Sequence, residues 1–280
     1  MKPMTDKASK AGLLACLTGV ALLLGACSSD LFQVTNPGRT LDSDLNDPNL
    51  VPALVTGMSH DFSIVHDNNA VDVGLLSDEL AGTGNYEETA LEGSGVARRQ
   101  DFNYNYEATH RARWAAETGI ARMKTIDGYQ FDGNALTARA YLFAGMSNRM
   151  LGELFCQVTY DGSAALSRDS AFNRALPLYQ QALTQAQAAG DQQYEHAALA
   201  GLAQTYFDLG QGATAVTYAQ QVPTDFEQVA YYSSNSTDEE NQLWSYSFQR
   251  AEISVYNTYA VTANDPRAPY TNCMLGSCQD

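Results

Sequence analysis

Apolar residues in this chain recur mainly at helical spacing, and polar or glycine-rich runs cut the helices apart. Asp47 before Pro48 reads as a helix start leading into Leu50, Leu54 and Met58. A second helix is expected from about Ala108 to Lys124, with Trp114, Ile120 and Met123 on one face. Ala138, Leu142, Met146, Arg149 and Met150 then keep helical spacing. An insertion runs from Cys156 to Asp169, and a returning helix carries Ala171, Ala175, Tyr179 and Ala182. In the next pair Ala203, Tyr206 and Gly210 stand as small residue, ring and helix-ending glycine, Ala215 and Ala219 follow on the second helix, and Pro223 closes it. Between the helices, residues 67–106 and 224–250 read as long aromatic-rich loops. The pattern predicts an all-α fold.

Residues 133–222 have the style of a tetratricopeptide array, in which alanine lets two helices approach and a tyrosine fills the gap above it. An ordinary helical core with alanine seams reads the same block. Two such pairs bury too little surface alone, so flanking segments must cap them. Either way the block is scaffold and holds no chemistry of its own.

The first residues change the picture. Lys2, Lys7 and Lys10 precede an apolar run from Ala11 to Leu24 that is interrupted only by Thr18. That run is short for a membrane span and ends in small residues, as a signal peptide does. Leu24-Gly25-Ala26-Cys27 looks like a lipobox, so residues 1–26 are expected to be removed and Cys27 acylated. Residues 27–47 would serve as tether, and 48–280 as the folded domain. Three of the four lysines leave with the signal, so residues 27–280 hold 13 basic and 31 acidic residues, a net charge of −18. Such a surface repels nucleic acid and anionic lipid.

Chemistry is thinly marked. Adjacent acidic pairs (Asp78-Glu79, Glu87-Glu88, Glu239-Glu240) point apart more readily than they face across a sugar. His60, His66, His110 and His196 have no metal-ligand spacing. No nucleophile elbow or cofactor motif is present, and no catalysis is expected. Asp42, Asp44 and Asn46 imitate a calcium loop, but Asp47 and Ala53 stand where glycine and glutamate are needed. Cys273 and Cys278 could pair in an oxidising exterior, or Cys156 could take either. The 16 tyrosines divide: Tyr141, Tyr179 and Tyr206 sit on helices and read as core. The loop rings are the ligand candidates, Tyr86 with Asn85 and Asp78, and Tyr231 and Tyr232 with Trp244 and Tyr246, because flat rings beside amides and carboxylates suit sugars or peptides.

Several segments in order resemble the SusD/RagB family of outer-membrane nutrient-uptake lipoproteins. They are the lipobox, Val34-Thr35-Asn36-Pro37, Leu54-Val55-Thr56-Gly57 and Gly74-Leu75-Leu76-Ser77-Asp78-Glu79. Ala138-Arg139-Ala140-Tyr141-Leu142 through Leu151-Gly152-Glu153-Leu154-Phe155-Cys156 is the strongest, followed by Ala171 to Ala186 and Asp265-Pro266-Arg267. The resemblance implies a SusD-like helical fold on a tetratricopeptide-like core. It also implies a lid over a SusC-like TonB-dependent transporter, capturing a glycan or peptide nutrient in loops outside the array. Family members continue with further helices after the Asp-Pro-Arg segment. This chain stops soon after it, so it reads as a truncated frame, a fragment or a reduced member, with apolar surface left uncovered. A lipid-anchored tetratricopeptide scaffold for envelope assembly is the rival expectation.

Overall fold

The computed structural model describes residues 41–263 and 266, apart from 84, 238 and 257. Cys27, the lipobox, Cys273, Cys278 and most of the Asp-Pro-Arg segment lie outside the described residues.

The described chain is all-α, with two two-stranded ribbons. Asp47 does start the first helix: its carboxylate accepts from Asn49 N at 2.8 Å, and a 3-10 turn at Pro48–Leu50 runs into α1 (Val51–Leu76). Residues 67–76 are therefore helical, not loop as expected. Asp67, Asn69 and Asp72 break the apolar rhythm there, yet each is held by a partner far along the chain. After β1 (Ala81–Gly82) and α2 (Glu87–Glu92) comes α3 (Asn103–Met123), which packs antiparallel on α1. Gly119 lets it close: a Cβ there would lie 2.0 Å from the Met58 methyl carbon. Ile120 and Met123 are buried as expected, but Trp114 is 58 % exposed. The seam of α3 runs through Ala112, Ala116, Gly119 and Met123, and Trp114 lies off it at about 100° per residue.

The central helix is α4 (Ala135–Leu154), buried along most of its length and packed on α1, α3, α5 (Arg168–Ala189) and α6 (Gln192–Asp208). The expected insertion is a small ribbon, β2 (Gln157–Val158) with β3 (Leu166–Ser167). Close approaches show that α4 and α5 are antiparallel, since Gly145 faces Tyr179 and Gly152 faces Phe172. The Tyr179 ring is wholly buried between two glycines, where a Cβ would come within 2.9 Å on Gly145 and 2.2 Å on Gly201. The expected alanines Ala138, Ala171, Ala175 and Ala182 are fully buried, and Gly145, Gly152 and Gly201, which the pattern did not single out, make the closest approaches. Gly210, at φ 73°, ends the turn after α6 as expected, and α7 (Gly212–Ala219) returns. Tyr206 is only half-buried. It stacks on Tyr218 of α7 at 5.4 Å rather than filling a core crevice. Phe207 and Val216 on this last pair are exposed.

Beyond α7 the chain runs without regular structure to α8 (Gln242–Trp244), a π turn (Ser245–Gln249), β4 (Ile253–Ser254) and α9 (Tyr259–Thr262). β4 pairs antiparallel with β1, Ala81 opposite Ser254 and Gly82 opposite Ile253. That pairing ties the end of the described chain to the C-terminal half of α1, and Ile253 packs with Val71 and Leu75.

Candidate functional site

Where β1 meets β4, a cleft of about 520 Å³ opens against α1. Asp67 and Asp72 of α1 form one side, Glu88 and Glu92 of α2 another, Tyr104 and Asn105 begin α3, and Glu240, Tyr246, Arg250 and Glu252 close it. Local hydrogen bonds fix each side chain. Asp67 accepts the backbone N–H of Gln242 at 2.8 Å, which caps the approach to α8 onto α1. Asn105 donates to Asn69 at 2.7 Å and to Asp72 at 2.6 Å, tying α3 to α1. Thr89 donates to Glu252 at 3.3 Å. Arg98 takes Asp101 at 2.7 Å and Glu87 at the shorter 2.6 Å.

Arg250 is the cation that lines the cleft. Its guanidinium stands 4.6 Å from the centre of the Tyr86 ring and 4.4 Å from that of Tyr246, and pairs with Glu252 at 2.7 Å. Among the described residues no ion pair reaches Asp67, Asp72 or Glu92. Burial therefore pushes all three carboxyls up. Asp67 and Asp72 rise to about 6, Asp72 with help from the Glu88 charge. Glu92 rises to about 8, through burial first and then the charges of Asp72, Glu88 and Asp101. Glu92 is 1 % exposed, and its Oε2 has no hydrogen-bond partner.

A second cleft, of about 750 Å³, lies across α1 from the first and shares Ile64 with it. His60, Phe62, Ser63, Arg139, Phe143, Tyr194 and residues 227–233 line it. The Tyr232 hydroxyl donates to the Ser63 carbonyl at 2.9 Å and is pushed up to about 12 by burial, whereas Tyr231 is almost fully exposed.

The ligand candidates thus separate. Tyr86 and Tyr246 meet in the first cleft, through Arg250. Tyr231 and Tyr232 line the second. Asp78 sits exposed on a turn at φ 62°, Asn85 is exposed beside Tyr86, and Trp244 stacks on Phe248 at 5.7 Å; none of these three lines either cleft. The acids at the heart of the first cleft, Asp67, Asp72, Glu92 and Glu252, escaped sequence reasoning. Asp67 and Asp72 did leave one trace, acids interleaved with Val65, Val71 and Leu75 at helical spacing.

Among the described residues, no group of three or more His, Cys, Asp or Glu could hold a metal ion, and no helix is long and apolar enough to cross a membrane. Cys156 is exposed, with its possible partners outside the described residues. No family model, curated protein or solved structure matches the chain.

Proposed function

We propose that the protein is a non-catalytic capture protein of a nutrient-uptake system. Lipid on Cys27 holds it at the outer membrane, facing outward. It binds a glycan or peptide nutrient and passes it to a SusC-like TonB-dependent transporter. The observation that carries this reading is the first cleft: tyrosine rings, amides and under-partnered carboxylates gathered by segments outside α4–α7. That arrangement matches what the SusD/RagB resemblance implies, ligand groups beside a helical stack that itself contributes none. The antiparallel pairs α4/α5 and α6/α7, with a ring seated in glycine grooves, support the tetratricopeptide-like core. They also favour the second reading, an envelope-assembly scaffold.

Membrane extraction and partner mass spectrometry separate the two. Recovery of a TonB-dependent barrel is expected, whereas recovery of assembly proteins alone overturns uptake. Labelling with a fatty-acid analogue is expected to mark the natural chain and not Cys27→Ser. Protease added to intact cells is expected to cut the protein, and complete protection overturns the outward orientation.

A further inference from the structure

We infer that the first cleft selects a cationic ligand, and that the ligand is a peptide presenting an arginine or lysine side chain. The inference rests on the capture reading and names its substrate class.

Charge balance in the cleft is the starting point. Two cations belong to this corner, and both are engaged: Arg98 with Asp101 and Glu87, and Arg250 with Glu252. Asp67 and Asp72 on one side of the same space and Glu92 on another remain with no ion pair among the described residues. Burying carboxylates without a counter-charge is costly, so such groups hold a proton or await a cation. Glu92 is the sharpest case, since it is almost fully buried, lines the cleft and has an oxygen with no partner. A guanidinium or ammonium entering here would replace the missing charge and gain hydrogen-bond acceptors already in place.

Arg250 shows that the walls accept such a group. One guanidinium already lies against two tyrosine rings and on one carboxylate, as an aromatic cage holds an organic cation. The same contact argues against a sugar. Stacking on a sugar needs flat ring faces, and Arg250 already covers one face of Tyr86 and one of Tyr246. Apart from the exposed Tyr104 ring, what stays open is acceptor-rich and anionic, which fits a basic side chain with a peptide backbone alongside.

The test uses full-length protein in detergent and end-blocked tripeptides titrated by calorimetry. The central residue is arginine or its uncharged isostere citrulline, and glucosamine and glucose trimers run in parallel. The arginine peptide is expected to bind at least tenfold tighter than the citrulline peptide. Glu92→Gln, which keeps shape but cannot ionise to meet a cation, is expected to reduce that preference to less than threefold, with an unchanged circular dichroism spectrum. Equal binding of the arginine and citrulline peptides overturns the charge selection while leaving capture intact. Binding of the glucosamine trimer without the arginine peptide overturns the peptide assignment. Failure of every probe overturns the capture reading itself.

Discussion

Among the described residues arginine lies over tyrosine in two places, with opposite charge balance. In the loop that joins β2 to β3, the centre of the Tyr160 ring lies 5.3 Å from the Arg113 guanidinium and 4.2 Å from that of Arg174. Arg113 pairs with Glu117 at 3.0 Å and Asp161 at 3.1 Å, Arg174 reaches Glu117 at 3.1 Å, and Asn148 donates to Glu117 while accepting from the Tyr160 hydroxyl. Two cations meet two anions, and only the Nε of Arg113 among these groups is buried without a hydrogen-bond partner. In the first cleft one arginine lies over two rings, and acids outnumber cations. The balanced cluster rigidifies the packing of α3, α4 and α5. In the unbalanced one, buried Asp67 and Glu92 and partly buried Asp72 have no ion pair among the described residues.

The balanced cluster should fail hardest when cut. Arg113 is 4 % exposed, so Glu117→Ala leaves a buried guanidinium with only the exposed Asp161, and also strips Arg174 and Asn148 of an acceptor. Breaking a buried pair from one side costs about 3 to 5 kcal/mol. Chemical denaturation should show a loss of that size, and a loss below about 1 kcal/mol would show that the cluster is ornamental.

In the cleft the same kind of change should act with the opposite sign. Below pH 4.5 Glu92 is protonated whether the chain is folded or not. As pH rises toward 8, the unfolded chain releases that proton freely and the folded chain does not, so stability falls across this window. Asp67 and Asp72 add the same trend between 3.8 and about 6. Glu92→Gln removes the largest contribution but still buries a polar group, so it should stabilise the protein at pH 8 by about 2 kcal/mol. The gain should vanish near pH 4. Denaturation at the two pH values checks both statements, and a variant less stable than the natural chain at pH 8 would mean that Glu92 has a counter-charge.

The scaffold was far more legible in the sequence than the cleft, for a physical reason. The pairs α4/α5 and α6/α7 are stabilised by contacts between neighbours in the chain, so helical spacing and Gly210 announce them, as Asp47 announces α1. The cleft depends on bonds across 33 residues between Asp72 and Asn105, 163 between Thr89 and Glu252, and 175 between Asp67 and Gln242. Nothing local marks such pairs, which is also why the last turns of α1 looked like loop. Tyr86 and Tyr246 were readable as candidates, and both line the first cleft, because aromatics beside polar residues in a loop carry their own signal. Asp78, Asn85 and Trp244 shared that signal without sharing the cleft, since neighbours in a loop need not face the same way.

The smallest effect on stability should separate those two kinds of aromatic most cleanly. Tyr86 is 49 % exposed and Trp244 38 %, so neither supports much packing. Removing Tyr86 deletes one of the two rings against Arg250, worth about 0.5 to 1 kcal/mol at an exposed site. Removing Trp244 deletes a stack on Phe248 of similar worth, about 0.5 to 1 kcal/mol. Thermal unfolding of Tyr86→Ala and Trp244→Ala should therefore move by only about 2 to 4 °C each, and their ligand binding should differ. Tyr86 steadies Arg250 at the mouth of the cleft, and without it the guanidinium is freer to leave Glu252 and to repel an incoming cation. Arginine-peptide affinity should then drop several-fold in Tyr86→Ala and stay within twofold in Trp244→Ala. If both variants bind alike, the rings around Arg250 only cover the surface and selection lies with the acids behind them.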